Sequence, residues 1–344
     1  MGRFSDPRPR AEHVRSRPRV SGFARIATAA AVLALALMAS GCGGDDDSDD
    51  GGGGAAEQTT ITVGTLPIAN AAPMYLGMEE GFFEEENLRI EPQIGEGGAA
   101  LIPSLVSGDA QFAFVGVIPA ITAVAQDVPI KIVTSSDDAA ATEDKDWQTL
   151  VVPAGSPIKG VEDLPGKTIA VNALRGLAEV VISRSLEKQG VDYRQVKLLE
   201  VPFPEMPAAL EQKRVDAALL TEPFLSAVLA EGGTQIDAPS VETVPNFPNG
   251  VYVASESYIA ENGDVVDRFA RAMNRSLEYA QENPDEVRRI VPTYTETPPE
   301  AAQQMRLPVF DSELDREGIE LEAELTAKYG IVEEAPAYED MVRE

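Results

Sequence analysis

The chain has 344 residues, of which 44% are hydrophobic and 25% are charged, a composition typical of globular proteins. Its net charge of −29 argues against nucleic acid as a partner, because phosphate binding needs a surface rich in Lys and Arg. His13 and Cys42 are the only residues of their types. The sequence after Cys42 therefore excludes Ser-His-Asp and Cys-His nucleophile systems, imidazole bases, His/Cys zinc sites and disulfides. We expect no catalytic residue, no metal and no cofactor.

The N-terminal segment has the pattern of an export signal. Seven Arg residues precede an apolar run from Ile26 to Ala39, which predicts a secretory signal peptide over residues 1–41. The run is shorter than the roughly 20 apolar residues that cross a bilayer. The sequence Ala39-Ser40-Gly41-Cys42 resembles the lipobox of bacterial lipoproteins, although Ala39 stands where Leu is usual. The resemblance implies that Cys42 is lipidated; the alternative is a free Cys in an ordinary cleaved signal.

Residues 42–57 are dominated by Gly and Asp. Such a segment has little apolar surface to bury and its charges repel one another, so we expect a flexible tether. The protein is then exported and anchored by lipid to the outer face of the cell membrane, with a soluble body beyond the tether.

From Thr59 onward, short apolar strands alternate with helical patterns, which predicts an α/β fold with a largely parallel sheet. The predicted strands lie at 61–63, 88–94, 112–114, 130–133, 150–152, 169–171, 196–201, 215–220 and 251–253. The predicted helices lie near 72–86, 98–107, 119–126, 177–189, 205–213 and 223–231. Beyond Val253 the pattern is almost entirely helical.

The C-terminal helices carry an apolar face and start signals. Apolar residues recur at three- and four-residue steps, which predicts one buried helix face, at Val266, Phe269, Met273, Leu277 and Ala280. Asn283-Pro284-Asp285-Glu286 and Thr297-Pro298-Pro299-Glu300 each predict an N-cap, a Pro at the first helical position and an acidic residue closing a capping box.

Three stretches of the body resemble a known family. They are Ala72-Pro73-Met74-Tyr75-Leu76-Gly77-Met78-Glu79-Glu80-Gly81-Phe82-Phe83, Val106-Ser107-Gly108-Asp109-Ala110-Gln111-Phe112-Ala113-Phe114-Val115-Gly116 and Val215-Asp216-Ala217-Ala218-Leu219-Leu220-Thr221-Glu222-Pro223-Phe224. They are similar to the solute-binding proteins of ABC importers in the nitrate/sulfonate/taurine and thiamine-pyrimidine precursor family. The resemblance extends over almost all of residues 60–344.

The resemblance implies a type II periplasmic-binding-protein-like fold, in which two α/β lobes are joined by two crossover strands with a ligand cleft between them. By analogy, lobe I comprises residues 58–150 and 250–344, and lobe II comprises 156–243. The crossovers are expected near Leu150 to Ala154 and Val244 to Asn249. The partners implied are a small-molecule ligand and the ABC permease subunits, and we expect a monomer.

Ligands of open α/β sheets bind beyond the carboxyl ends of the strands, where helix N-termini offer N–H groups. Loops after predicted strands therefore supply the candidate ligand-binding residues Asn70, Gly97, Gly98, Gly116, Val117, Ser135, Arg175, Gly176, Glu222 and Asn249. The Gly residues before helices are equally consistent with tight turns. Ser135 and the neighbouring Ser136 are equally consistent with a turn at Asp137.

Two of these candidates carry charge. Arg175 precedes a helix in a loop expected at the cleft, and its guanidinium suits a sulfonate or carboxylate; the alternative is a solvated surface Arg. Glu222 either accepts a hydrogen bond from a ligand amine or caps the helix that follows Pro223.

We expect the ligand to be a small organic anion or zwitterion, such as a sulfonate, taurine or nitrate. The alternative ligand for the same fold is an aminopyrimidine precursor of thiamine. A different class of function is an exported hydrolase that uses a carboxylate pair, Glu222 with Asp137 or Glu96. A third hypothesis is a sensing ectodomain that presents its ligand-bound form to a receptor.

Overall fold

The structure is a computed structural model that describes residues 58–95 and 97–343. The predicted signal peptide, the Cys42 lipidation site, the tether and Glu96 lie outside the described residues. Within the described part, no helix is both long and apolar enough to cross a membrane.

The described residues form two sheets built from eleven strands. The strands are β1 (Thr59–Thr65), β2 (Leu88–Ile94), β3 (Phe112–Gly116), β4 (Ile130–Asp138), β5 (Gln148–Val152), β6 (Thr168–Val171), β7 (Lys197–Glu200), β8 (Ala217–Thr221), β9 (Thr234–Asp237), β10 (Pro248–Ser255) and β11 (Val309–Phe310). The first sheet has the order β11-β4-β10-β3-β1-β2 and the second β7-β6-β8-β5-β9. We call residues 58–138 and 248–343 the first lobe, and residues 148–237 the second lobe.

Each sheet combines parallel and antiparallel pairs. In the first sheet β1 runs parallel to β2 and β3, whereas β10 is antiparallel to both β3 and β4. In the second sheet β6 is parallel to β7 and β8, whereas β5 is antiparallel to β8 and β9. The parallel pairs were expected; the antiparallel partners are the strands that lead the chain into each lobe from the other.

Helices cover and connect the two sheets. They are α1 (Ala72–Glu79), α2 (Phe82–Glu85), α3 (Gly98–Ser107), α4 (Val117–Val124), α5 (Leu177–Lys188), α6 (Met206–Glu211), α7 (Phe224–Ala230), α8 (Pro239–Thr243), α9 (Glu256–Glu261), α10 (Gly263–Glu282), α11 (Pro284–Ile290), α12 (Pro299–Ala302), α13 (Arg316–Lys328) and α14 (Tyr338–Met341). Short 3-10 turns occur at Ala69–Ala71, Val161–Asp163, Tyr193–Gln195, Phe203–Glu205 and Val291–Thr293.

Two segments connect the lobes. The expected boundary at residue 150 falls inside β5, which pairs with β8 and β9 in the second sheet. The chain therefore crosses over residues 139–147 and returns over residues 238–247. Trp147 fixes the first connection, because its buried indole N–H donates to the carbonyl oxygen of Asp138 at 2.9 Å.

The core of the first lobe is built on α10. Its predicted apolar face is confirmed, since Val266, Phe269, Met273 and Leu277 are each 0% exposed. The ring of Phe269 stacks on Phe112 of β3 with centroids 3.8 Å apart. The periodicity of α10 thus fixes which side of the helix meets the sheet.

The two predicted helix starts behave differently. Helix α11 begins at Pro284 with Asn283 as its N-cap, as expected, although the Asn283 side chain donates to the Tyr279 carbonyl at 2.8 Å instead of capping. The prediction of an N-cap at Thr297 is wrong, because α12 begins at Pro299 with the extended Pro298 as its N-cap. Proline suits the first helical position, and of the two consecutive prolines Pro299 takes it.

Candidate functional site

A cavity lies between the two lobes. Its free internal volume is about 80 Å³. Its first-lobe wall is formed by Leu66, Ile68, Asn70, Phe114, Gly116, Pro119 and Asn249. The opposite wall is formed by Trp147, Gln148, Asn172, Ala173, Gly176, Leu177, Ala178, Phe203, Leu219 and Thr221.

The cavity lies where parallel strands end. Asn70 follows β1, Gly116 ends β3, Asn172 follows β6 and Thr221 ends β8. The carboxyl ends of parallel strands are the usual binding edge of an α/β sheet, and here two such edges face one cavity.

Two helices begin at the cavity wall. Gly116 is the N-cap of α4 and Gly176 is the N-cap of α5. The first N–H groups of a helix have no partner inside it and carry partial positive charge. The second-lobe wall, where Leu177 and Ala178 form the first turn of α5, can therefore donate hydrogen bonds to a ligand.

The first-lobe wall carries a buried cluster of one carboxyl and two amides. Asp137 Oδ2 accepts a hydrogen bond from Asn70 Nδ2 and another from Asn249 Nδ2, each at 2.7 Å. Asp137 and Asn70 are 0% exposed. Asn70 Oδ1 and Asn249 Oδ1 have no hydrogen-bond partner among the described residues. The wall therefore contains unsatisfied acceptors.

The second-lobe wall adds further unsatisfied groups. Gln148 Oε1 and Thr221 Oγ1 are buried and lack partners in the described part of the chain. Buried polar atoms are normally hydrogen-bonded in native proteins, so both atoms are available to a molecule that enters the cavity.

Burial dominates the electrostatics near the cavity. Desolvation raises the pKa of Asp137 to about 7, although the hydrogen bonds from Asn249 and Asn70 oppose the shift. The pKa of Asp138 is raised to about 8, first by burial and then by the negative charge of Asp137. Burial also raises the pKa of Asp146, beside Trp147, to about 7. Carboxyls behind the wall therefore hold their protons to near-neutral pH.

Four of the predicted site residues line the cavity together, namely Asn70, Gly116, Gly176 and Asn249. Gly97 is the N-cap of α3 and Gly98 its first residue; a Cβ at Gly97 would lie 3.6 Å from Asn172 Oδ1. Val117, the first residue of α4, is fully buried. Ser135 is buried within β4, opposite Val251. These last four residues flank the cavity without forming its lining.

The structure places Arg175 outside the cavity lining. Its guanidinium donates to the carbonyl oxygen of Ile331, which follows α13 of the first lobe. Its backbone N–H donates to Glu179 Oε2 at 2.9 Å, and its backbone has a φ of 54°. Arg175 therefore makes a contact between the lobes instead of facing the enclosed space.

Glu222 is a second contact between the lobes, and it too is absent from the lining. Its Oε1 accepts from Ser226 Oγ at 2.7 Å and from the Arg306 backbone N–H at 3.0 Å. Its Oε2 accepts from the Ser226 backbone N–H at 3.1 Å, which caps the first turn of α7. Burial raises the pKa of Glu222 to about 7, against the effect of these hydrogen bonds.

Further contacts join the two lobes. On one side Glu187 of α5 accepts from Lys328 Nζ at 2.5 Å and from Tyr329 Oη at 2.9 Å. On the other, Arg306 Nη1 donates to the Asp146 carbonyl at 3.0 Å and to Gln235 Oε1 at 2.7 Å. The cavity is thus enclosed by contacts that opening of the lobes would break.

A match to a family model identifies the family of this chain. A family model described as "NMT1/THI5 like" matches residues 68–287, which include most of the cavity lining. The chain belongs to the NMT1/THI5-like family. The formylaminopyrimidine-binding protein of Halalkalibacterium halodurans is 26% identical over 242 residues, 69% of this chain and 70% of that protein. The taurine-binding periplasmic protein of Escherichia coli is 26% identical over 59% of this chain and 61% of that protein.

Solved structures resemble this NMT1/THI5-like chain in fold. The alkanesulfonate-binding protein SsuA of Xanthomonas axonopodis pv. citri, bound to MOPS, has a TM-score of 0.69 and 20% identity, covering 83% of this chain and 96% of that one. The periplasmic nitrate-binding protein NrtA of Synechocystis PCC 6803 has a TM-score of 0.67 and 15% identity, covering 83% and 84%. The expected α/β fold with two sheets, shared with periplasmic binding proteins, is confirmed.

Much of the cavity lining was not predicted from the sequence. Gln148, Phe203, Leu219 and Thr221 were not among the predicted site residues, yet all contribute to the cavity wall. The rule that ligands bind beyond strand ends could have found Thr221, which ends β8. Phe203 lies in a 3-10 turn after β7 and carries no comparable signal.

Proposed function

We propose that this chain is the extracytoplasmic solute-binding component of an ABC importer and that it is not an enzyme. The observation that carries the proposal is the cavity between two lobes whose edges are tied by Glu222, Arg306 and Glu187. A binding protein that encloses a solute and then releases it to a permease needs such breakable contacts. The names of the curated relatives support the same function.

The lining favours an uncharged ligand that donates hydrogen bonds. None of the residues that line the cavity in the described structure is Asp, Glu, Lys or Arg. Burying an ion without a counter-charge is costly. The unsatisfied oxygens of Asn70, Asn249 and Gln148 are acceptors, and Phe114, Trp147 and Phe203 supply aromatic surface. We infer a flat nitrogen heterocycle with amino groups, of the aminopyrimidine class.

A second ligand class is supported by a different observation. The N-termini of α4 and α5 meet the cavity, and helix N-termini bind anions. A small sulfonate, taurine or nitrate at these N–H groups is therefore the competing ligand, and it is the class expected first from the sequence.

Titration calorimetry distinguishes the two ligand classes. We expect the full chain to bind 4-amino-5-hydroxymethyl-2-methylpyrimidine with one-to-one stoichiometry, and to bind ethanesulfonate, taurine and nitrate far more weakly. Gln148→Leu is expected to weaken pyrimidine binding about tenfold, because it removes an acceptor. The control Gln126→Leu changes an exposed residue and is expected to have no effect. Tight binding of an anion without pyrimidine binding contradicts the proposed ligand.

Binding without turnover is part of the proposal. After incubation with the protein, the pyrimidine probe should be recovered unchanged by mass spectrometry. A chromogenic glycoside should not be cleaved. Conversion of either compound would favour the hydrolase hypothesis.

Anchoring through Cys42 completes the proposal. Cells grown with an alkyne-labelled fatty acid should label the wild-type chain, and Cys42→Ser should abolish both the label and recovery in the membrane fraction. Deletion of the permease that the chain serves should abolish uptake of the labelled pyrimidine. Light scattering of the purified protein should give the mass of one chain.

A further inference from the structure

The amide cluster on the first-lobe wall joins three distant parts of the chain. Asn70 lies in the 3-10 turn after β1, Asp137 in β4 and Asn249 in β10. Both amides donate through Nδ2 to the same carboxyl oxygen, each at 2.7 Å. Asp137 itself lies behind the two amides and is not part of the lining.

The carboxyl dictates how each amide is turned. An Asn side chain has one donor branch and one acceptor branch, and Asp137 Oδ2 is the acceptor that both amides share. Asn70 and Asn249 must therefore direct their NH2 groups to Asp137. Their Oδ1 atoms, on the other branch, have no protein partner within the described residues, and both residues line the cavity.

Packing keeps Asp137 in place. Its side chain is 0% exposed. A Cβ on Gly250, in the neighbouring strand, would lie 2.5 Å from Asp137 Oδ1 and 2.6 Å from the Phe114 ring. Any larger residue at position 250 would therefore displace the carboxyl or the ring, and glycine leaves room for both.

We propose that Asp137 is a positioning residue that sets the hydrogen-bonding polarity of the cavity. By accepting one N–H of each amide, it leaves both Oδ1 atoms as acceptors for the ligand, so the cavity selects molecules that donate N–H groups over molecules that accept. This inference rests on the proposed function, because it assumes that the cavity is the ligand site.

The test compares Asp137→Leu with Asp137→Asn. Leu removes the acceptor, so both amides can rotate and present NH2 groups to the cavity. Asn keeps an oxygen where Asp137 Oδ2 lies, so it should preserve the wild-type arrangement. The probes are 4-amino-5-hydroxymethyl-2-methylpyrimidine and its analogue with a methyl group in place of the 4-amino group.

The readout is the ratio of the two dissociation constants. In the wild type and in Asp137→Asn, the amino probe is expected to bind about tenfold more tightly than the methyl probe. In Asp137→Leu the ratio should fall towards one, and ethanesulfonate should gain affinity relative to both. If Asp137→Leu weakens both pyrimidines equally and the ratio is unchanged, Asp137 has only a structural role and the inference is overturned.

A second measurement needs no ligand. In the wild type, the NMR signals of the Asn70 and Asn249 NH2 groups should exchange slowly with water, because both groups are buried donors to Asp137. Fast exchange of both groups overturns the inference, even if Asp137→Leu fails to fold. If the wild type binds neither pyrimidine, the proposed ligand is wrong, while slow exchange still supports the amide orientation.

Discussion

Glu322 allows a direct test of how the buried acids affect stability. It lies on the inner side of α13 and is 0% exposed. Neither of its carboxyl oxygens has a hydrogen-bond partner within the described structure. Burial, followed by the negative charges of Asp138 and Asp315, raises its pKa well above the ordinary value of 4.5. The folded chain therefore holds this proton to a higher pH than the unfolded chain does.

Two contributions determine how much a substitution of Glu322 changes the free energy of unfolding. A buried polar group without a partner costs about 1–3 kcal/mol, so Glu322→Met should raise the free energy of unfolding by about 2 kcal/mol at pH 5. Above pH 4.5, each further pH unit lowers the wild-type stability by about 1.4 kcal/mol through this group, until its folded-state pKa is reached. The advantage of Glu322→Met should therefore grow as pH rises. Glu322→Gln should remove only the pH-dependent contribution.

Urea unfolding followed by circular dichroism at pH 5 and pH 8 measures both contributions. The matched control is Glu324→Gln on the same helix, where the side chain is exposed and no change is expected. A Glu322→Met protein that is less stable than the wild type at pH 8 would refute the reasoning. Such a result would show that the Glu322 carboxyl has a partner whose stabilising contribution exceeds the free-energy cost of burying the carboxyl.

Two further perturbations test the packing and the contacts between the lobes. Gly77→Ala should destabilise the first lobe by about 1–3 kcal/mol, because the new Cβ would lie 1.9 Å from Ser276 Oγ. In thermal unfolding Gly263→Ala, which has no close neighbour, should behave like the wild type, and equal melting temperatures for both variants would contradict the clash. Arg175→Ala removes the bond to Ile331, so amide hydrogen exchange at residues 173–180 should accelerate several-fold. Unchanged exchange would show that this contact does not hold the lobes together.

Local patterns in the sequence predicted most of the secondary structure. The apolar face of α10 could be predicted because all the apolar residues that define it lie in one helix, at three- and four-residue steps. The start of α12 lies one residue beyond the prediction, because either Pro298 or Pro299 suits the first helical position and the local sequence does not choose between them. The sheet that β5 joins could not be predicted, because the apolar residues of a strand do not reveal its partners. Strand pairing depends on residues far along the chain.

The candidate site was predicted in part for the same reason. Asn70, Gly116, Gly176 and Asn249 follow or end strands, or precede a helix, and such positions can be recognised locally. The contacts of Asp137 join residues separated by 67 and 112 positions, and no local pattern records them. The placement of Arg175 depends on a carbonyl 156 residues away. A charged loop residue shows its partner only once the lobes are assembled.

The position of β10 between β3 and β4 has a consequence for synthesis. The ribosome delivers β1 to β4 first, but β3 and β4 have no direct pairing and each keeps an unpaired edge until β10 emerges. Unpaired edges are sites of aggregation. The five strands of the second lobe come from one uninterrupted stretch and can pair as soon as residue 237 has been made. The lobe that is begun first is therefore completed last.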